Sequence, residues 1–352
     1  MIKFILQRLG YGFLVILGVV MVVFLLFFTV PGDPVSMMVD QQADKTIRDA
    51  IRKDLGLDKP LHTQLYMYMR DLSPISVHAD TPKEKEKYAF ARLIPLGESV
   101  FVLKYPYLGR SFQTNQKVSD IVGQRVSLTI ILALAAMFFA TVVGITLGIF
   151  AALKQNTFWD GFISVVSVFG ISTPSFVAAS IISLVFGYMI GPYIGLNGIG
   201  TLWEIDPISG NKILHLKNLI LPALTLGIRP LAIIVQLTRS SMLEVLSQDY
   251  IRTARAKGLS NYKVIVKHAL KNALNPVVST ISNWLASLLA GAFFIETIFD
   301  YKGLGFETIQ ALDRRDLPII MGATLVVAVV FVLINLIADL LYAVIDPRIR
   351  LN

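Results

Sequence analysis

The chain has no cysteine. Disulfides, cysteine-ligated metals and thiol catalysis are therefore excluded. Charge is scarce: Asp, Glu, Lys and Arg make up 16% of 352 residues, against about 25% in a typical soluble protein. The four histidines, His62, His78, His215 and His268, all lie outside the apolar runs. The dipeptide Gly-Lys never occurs. A G-x-x-x-x-G-K-[ST] phosphate loop is thus missing, and ATP hydrolysis by that route is excluded. No H-E-x-x-H and no cluster of metal ligands is present, and no cofactor is expected.

What the sequence does have is oil. Hydrophobic residues make up 55% of it. Residues 9–30, 128–153, 161–190, 219–228, 230–238, 277–295 and 317–338 contain no Asp, Glu, Lys or Arg. A helix needs roughly 20 apolar residues to cross the hydrocarbon core, and lipid leaves the backbone no other partners. The expected fold is an all-α polytopic membrane protein with six spanning helices, at about 9–30, 128–153, 162–190, 219–238, 277–299 and 318–344. The first run follows Lys3 and Arg8 as a signal peptide would. It is longer than the roughly 7–15 residues of such a segment and ends in "TVPGDP" without a small-residue cleavage site, so it reads as a retained helix.

The net charge of +8 follows from topology rather than from nucleic-acid binding. Basic residues in short loops stay on the cytoplasmic side. Lys3 and Arg8, Lys154, seven Lys/Arg in 239–275, and Arg348 and Arg350 all fall on one side of six crossings. The opposite loops are balanced: 191–218 has two basic and two acidic residues, and 300–317 has three and four. The expectation is N-in and C-in. Residues 1–30 hold the first helix, 31–125 an extracytoplasmic segment, 126–345 the five-helix core with a cytoplasmic loop at 239–275, and 346–352 a cytoplasmic tail.

Within 31–125, Ile47, Ile51 and Leu55 recur at helical spacing, and Gly56 and Pro60 end the pattern. "TPKEKEKYAF" reads as a solvated tip, and the segment as a cap with few apolar anchors. In the second span, Ala136, Ala140, Gly144, Gly148 and Ala152 recur every fourth residue, a stripe that permits close helix packing. Asn283, Ser287 and Gly291 repeat the spacing in the fifth span. Their readings are packing, or polar residues lining a pathway.

"GIST" at 170–173 has the form of a membrane-protease serine segment, but such a serine needs a base and none is at hand. Ser172 reads instead as part of a helix break with Pro174. Glu296 and Asp339 sit near helix ends, within reach of water or headgroups. Arg229 is different: it falls mid-helix beside Pro230, where a lone charge costs about 2.5–3.5 kcal/mol on insertion scales. It either bonds carbonyls freed by Pro230 or snorkels, or it faces a pathway and meets a substrate carboxylate.

The loop 239–275 should hold two short helices. "SSMLEVLSQDYIRTARAK" stops at Gly258, a good residue just past a helix end. "SNYKVIVKHALKNAL" can start at Ser260 as N-cap, and Pro276 opens the fifth span. Arg252, Arg255, Lys257 and Lys263 fall within twelve residues. Contact with anionic headgroups would explain the charge, but not Ala254 and Gly258 at i, i+4, nor Tyr250 and Ile251 one turn earlier. A close-fitting protein partner explains both.

The stretch "DYIRTARAKGLSNYKVIVKHALKNALNP" at 249–276 resembles the cytoplasmic signature of the permeases of peptide-type ABC importers, in the peptide and nickel branch. Other stretches resemble the same family in order: "PGDPV" at 31–35, "LGLDKPLHTQ" at 55–64, "LGRSF" at 108–112, "STPSF" at 172–176, "LTRSSMLEV" at 237–245, "ETIFDYKGLG" at 296–305 and "DPRIR" at 346–350. The general Glu-Ala-Ala motif is replaced by Arg252-Thr253-Ala254, as is usual in the peptide branch. Residues 73–104 look like an added insertion.

The resemblance implies a type I ABC importer permease in the bacterial plasma (inner) membrane, a transporter subunit and not an enzyme. It implies that Tyr250, Ile251, Arg252, Thr253, Ala254, Arg255, Ala256, Lys257 and Gly258 sit in a groove on a separate ATPase. One short helix buries less than the roughly 1,200 Å² of a stable interface, so 239–248 and 260–272 should contribute. The implied partners are a second homologous permease, two ATP-binding subunits and an extracytoplasmic solute-binding protein, with no nucleic acid. Arg229, Asn283 and Ser287 are the candidate pathway residues. The cargo stays open among dipeptides, longer peptides, nickel complexes and other small solutes. A self-sufficient channel or secondary carrier is the competing class. It requires an ion-coupling site in mid-membrane, for which only Arg229 is available.

Overall fold

The computed structural model describes residues 2–29, 35, 45–54, 56–206 and 209–345. The expected tail 346–352 with "DPRIR", the stretch "PGDPV" apart from Val35, and Leu55 lie outside the described residues. The chain forms two compact units. One comprises Tyr11–Gln124 and Gln310–Ala328, the other Met1–Gly10, Arg125–Ile309 and Val329–Asn352.

Helix α1 (Ile2–Thr29) leads into the first of these units, followed by α2 (Lys45–Asp54) and α3 (Leu61–Leu72). Strand β1 (Ile75–Ala79), helix α4 (Pro82–Tyr88), and strands β2 (Ala91–Leu96) and β3 (Ser99–Leu103) follow. They form an antiparallel sheet in the order β1-β3-β2. This corrects the all-α expectation. "ISVHA" and "SVFVL" alternate with period two, burying Ser76 and His78 from β1 and Val100 and Val102 from β3, the pattern of a half-buried strand.

The expected solvated tip is exposed at residues 81–83, 85–87 and 89, but it is folded into a helix. Thr81 caps α4 by accepting from the Glu84 N–H at 3.4 Å, with Pro82 opening the helix. Tyr88 and Phe90 then pack on Val100 and Val102. Beneath them His78 Nδ1 lies 2.7 Å from Glu84 Oε2 and Nε2 3.0 Å from Ser76 Oγ. Tyr88 donates its hydroxyl to Asp71 Oδ1 at 2.8 Å. Burial pushes the His78 pKa down, against the pull of Glu84. The Lys104 N–H donates to Pro74 O at 2.9 Å, so the sheet-bearing insert begins and ends at one point. In the same unit, buried Asp316 accepts from Ser111 Oγ and from the Phe112 N–H at 3.1 Å, which gives "LGRSF" its anchor.

The other unit begins within α5 (Val118–Leu153). Helix α6 (Phe158–Ser172) and α7 (Ser175–Ile182) follow, the latter running into a π-helical stretch, Ser183–Met189. Next come α8 (Gly191–Ile194), the two-stranded ribbon β4 (Trp203–Ile205) and β5 (Lys212–Leu214), and α9 (Lys217–Leu246). Then come α10 (Asp249–Ala256), α11 (Asn261–Lys263), a π-helical turn at Val264–Ala269 and α12 (Leu270–Ala273). The order ends with α13 (Asn275–Gly291), α14 (Phe293–Ile298), α15 (Leu304–Asp313) and α16 (Leu317–Ile345).

Among the described residues four helices are long and apolar enough to cross a membrane: Ile5–Leu26, Val118–Leu153, Lys217–Leu246 and Leu317–Leu340. A fifth arises if Phe158–Ser172 and Ser175–Met189, bent by 109°, count as one span. That bend lies at Thr173 and Pro174, where the sequence places a break: Pro174 has no N–H to continue the ladder. The expected span at 277–299, fifth along the chain, is not one continuous helix. Its 17-residue piece α13 reaches about 25 Å at 1.5 Å per residue, and α14 follows separately.

The stripe on α5 is a packing surface. Ala136, Ala140, Gly144, Gly148 and Ala152 are all buried. A Cβ on Gly144 would lie 2.9 Å from Ile234 Cγ2 of α9, and one on Gly227 of α9 would lie 2.8 Å from the Ala136 carbonyl oxygen. Without side chains at these points two backbones approach closely, the usual device of helix pairs in lipid.

Glu296 is not within reach of water, contrary to the expectation from its place near a helix end. It is fully buried, accepting from Thr129 Oγ1 at 2.6 Å and from the Phe306 N–H at 3.0 Å. Thr129 in turn accepts from the Leu304 N–H at 2.8 Å. The carboxylate thus sits at the start of α15, where free N–H groups favour an anion. Any Cβ on Gly303 would collide with it, which accounts for a glycine in "DYKGLG". Asp339 pairs with Arg8 at 3.1 Å.

Candidate functional site

The loop after α9 is a folded object with its own core. Helix α9 runs on to Leu246, so residues 239–246 belong to it and not to the first short helix. Gln248 turns the chain with extended backbone angles, and α10 begins at Asp249. Ile251 and Ala254, three residues apart and so on one face, point inward. They join Met242, Val264, Ala269, Ala273 and Ala152 in one apolar cluster. Val264 and Ala269 are five apart. An α-helix would turn them away from each other, and the π-helical turn brings both into the cluster.

Gly258 ends α10 as the sequence requires. Its φ is +76°, a conformation that glycine adopts without the penalty of a side chain. The Gly258 N–H donates to Arg255 O at 2.9 Å and the Leu259 N–H to Ala254 O at 3.4 Å. These are the two bonds of a Schellman end, and Leu259 packs on the cluster as that motif favours. Ser260 stands at the start of α11 with extended angles but makes no side-chain cap.

Of the nine residues expected to meet a partner, seven lie outside: Tyr250, Arg252, Thr253, Arg255, Ala256, Lys257 and Gly258 are exposed. Ile251 and Ala254 are 0% and 6% exposed and hold the helix to its own protein. The small side chain of Ala254 admits that internal contact, so it leaves no notch for a neighbour. Asn272 Nδ2 donates to the Tyr250 hydroxyl at 2.8 Å, tying α10 to α12. Arg252 pairs only loosely with Asp249, at 3.4 Å and in the open. The outward face is therefore an ordered basic row with its guanidinium groups largely unspent.

Arg229 is exposed on α9 beside buried Pro230. Among the described residues it makes no hydrogen bond or ion pair, so no carbonyl freed by Pro230 holds it. Asn283 and Ser287 are exposed on α13, where Ser287 Oγ donates to the Asn283 carbonyl at 3.2 Å. A cleft of about 830 Å³ is lined by Ser164, Phe169, Ile233, Gln236, Ser240 and Thr280, among others. None of the three pathway candidates lines it. Ile233, one turn after Arg229, and Thr280, nearly one turn before Asn283, do.

One pair escaped the sequence reading. Arg239 of α9 grips Asp160 of α6 with two bonds, Nε to Oδ1 at 2.5 Å and Nη2 to Oδ2 at 2.7 Å. Asp160 also accepts from the Asn156 N–H at 3.0 Å. The partners are 79 positions apart, and each looks in sequence like a charge at the edge of an apolar run.

Fold and site together define a polytopic helical membrane protein that carries a prefolded basic loop at one end of its helix bundle. The chain belongs to the family described as "Binding-protein-dependent transport system inner membrane component", whose profile matches residues 144–351, and the family's N-terminal profile matches residues 1–133. It is 38% identical over 370 residues to the dipeptide transport system permease protein DppB of Escherichia coli (strain K12), covering 99% of each chain. It is 36% identical over 357 residues to a putative peptide permease protein of Brucella suis biovar 1, covering 100% of each. With the di/tripeptide transport system permease protein DppB of Pseudomonas aeruginosa it shares 35% over 365 residues, covering 99% of each. In fold it is similar to an inward-facing form of the MetNI methionine ABC transporter, with a TM-score of 0.50 and 18% identity over 64% of this chain and 96% of that one.

Proposed function

We propose that the chain is the membrane-spanning permease subunit of an ATP-driven importer of di- or oligopeptides. It forms half of the pathway and couples to a separate ATPase through α10. The observation that carries this reading is the division of α10 into an inward apolar row and an outward basic row. A row ordered by a core beneath it binds a protein groove without the ordering cost of a floppy loop. Peptide is the cargo class because the relatives that match the chain over almost its whole length are named for peptide transport.

In this reading Tyr250, Arg252, Thr253, Arg255, Ala256, Lys257 and Gly258 form the contact surface, and Arg252 and Arg255 pair with acidic groups of the ATPase. Ile251 and Ala254 transmit the load inward. Moving a two-state equilibrium from 1:99 to 99:1 takes about 5.5 kcal/mol of differential binding, which the ATPase pair supplies. A second permease completes the pathway, and an extracytoplasmic binding protein delivers cargo. The termini and the loop face the cytoplasm, and the segment 31–125, which carries the insert 73–104, helps to dock the binding protein. Arg229, Asn283 and Ser287 face the pathway, with Arg229 available to a peptide carboxylate.

The test is ATP-driven peptide uptake by the assembled complex in proteoliposomes. Ala256→Trp, exposed on α10 and free of the backbone strain that any side chain meets at Gly258 with its φ of +76°, leaves insertion intact, yet the indole stands in the contact surface and uptake is lost. Unchanged uptake in that variant contradicts docking through α10. Arg229→Ala, expressed normally, loses uptake if the guanidinium serves the pathway and keeps it otherwise. Excision of 75–103, whose flanks already meet at Pro74 and Lys104, abolishes delivery by the binding protein without preventing assembly.

A further inference from the structure

The Asp160–Arg239 pair has a geometry that simple anchoring does not need. Asp160 is 4% exposed and accepts three hydrogen bonds, two from one guanidinium. Such a fork fixes direction and position as well as distance. Helices α6 and α9 already pack along their length: a Cβ on Gly170 would lie 3.3 Å from Ala232 Cβ. Packed helices nonetheless slide past each other in shear motions. A two-bond lock at one end removes that freedom.

Its position matters as much. Arg239 lies less than one turn before Met242, which belongs to the same apolar cluster as Ile251 and Ala254 of α10. Any displacement of α10 is thus delivered to α9 next to the lock. At its far end α6 stops at the Thr173–Pro174 break, beyond which the chain turns by 109°. A helix held at one end and broken at the other behaves as a lever.

We propose that the Asp160–Arg239 lock fixes the axial register of α6 on α9, so that movement of the basic loop displaces the Thr173–Pro174 break. Asp160 and Arg239 act as positioning residues in this scheme, through their bond to each other, although Arg239 also borders the cleft of about 830 Å³. The proposal rests on the permease reading above and adds the route by which a push at α10 reaches α6.

The test uses the complete complex with its ATPase and binding protein in proteoliposomes, reading uptake and ATP hydrolysis together. Asp160→Asn keeps hydrolysis, and its uptake per ATP falls at least about fivefold, the lower end of ordinary coupling. Should Asp160→Asn fail to assemble, Arg239→Lys keeps a paired charge but loses the fork, and the same ratio falls. The chain has no cysteine, so Gly170→Cys and Ala232→Cys can be added to the variant. Their Cβ separation is close to the roughly 3.5–4.5 Å of a disulfide. Oxidation then restores the ratio, and reduction of the same sample abolishes it again. A normal ratio in Asp160→Asn or Arg239→Lys, or equal ratios in the oxidised and reduced forms, overturns the lock. A wild-type complex without ATP-driven uptake overturns the permease reading and the lock with it, whereas a transporting wild type beside a fully coupled variant overturns the lock alone.

Discussion

A Cβ placed on Gly148 of α5 would lie 2.6 Å from the Cβ of Thr238 on α9. The two helices therefore meet backbone to side chain with no slack. Overpacking of a filled contact typically costs about 1–3 kcal/mol. Gly148→Val should lower the thermal stability of the detergent-purified protein by that order. Gly123→Ala on the same helix, where nothing lies within 4 Å, should leave it unchanged. Equal melting temperatures for wild type and Gly148→Val would show that the contact is not made.

Thr129 serves two buried partners with one hydroxyl, donating to Glu296 and accepting from the Leu304 N–H. Thr129→Val keeps the shape, orphans that N–H and deprives the carboxylate of a donor. An unsatisfied buried group costs about 1–3 kcal/mol. The expected result is a clear loss of thermal stability for Thr129→Val and a small one for Thr129→Ser, which keeps the hydroxyl. If both variants melt alike, the hydroxyl does not carry the bond.

His78 makes the sheet-bearing insert sensitive to acid. Burial holds its pKa below the ordinary 6.5 in the folded state. The folded form therefore binds the proton less readily than the unfolded form does. The stability this contributes is complete above about pH 6.5 and is lost as pH falls through the folded value. Glu84 opposes the shift, while Arg70 and Lys104 reinforce it. Amide protection at Val100 and Val102, the β3 partners of His78 and Ser76, should drop between pH 7.5 and pH 5 after correction for intrinsic exchange. His78→Gln should flatten that dependence. Protection that holds at pH 5 in the wild type would contradict it.

Much of this architecture was legible because its causes are local. Long uncharged runs declare spans, Pro174 declares a break, and Gly258 declares a helix end through its backbone freedom. The sheet at 75–103 was hidden because five-residue alternations are short beside hydropathy runs of twenty or more. The direction in which Ile251 and Ala254 face was hidden for another reason. A small apolar row on an eight-residue helix fits an internal core as well as a partner's groove, and spacing alone does not choose. Asp160 with Arg239, and Thr129 with Glu296, are pairs made by the fold across 79 and 167 positions. No periodicity in the chain announces them.

The central claim is that the outward row of α10 meets an ATPase while the inward row does not. A photo-crosslinking amino acid at Arg255, in the assembled complex, tests it most directly, with the same group at Ile251 as the buried counterpart. The account predicts an adduct between position 255 and an ATP-binding subunit, and none from position 251. An adduct from 255 to lipid or to the binding protein, or a subunit adduct from 251 alone, would contradict it.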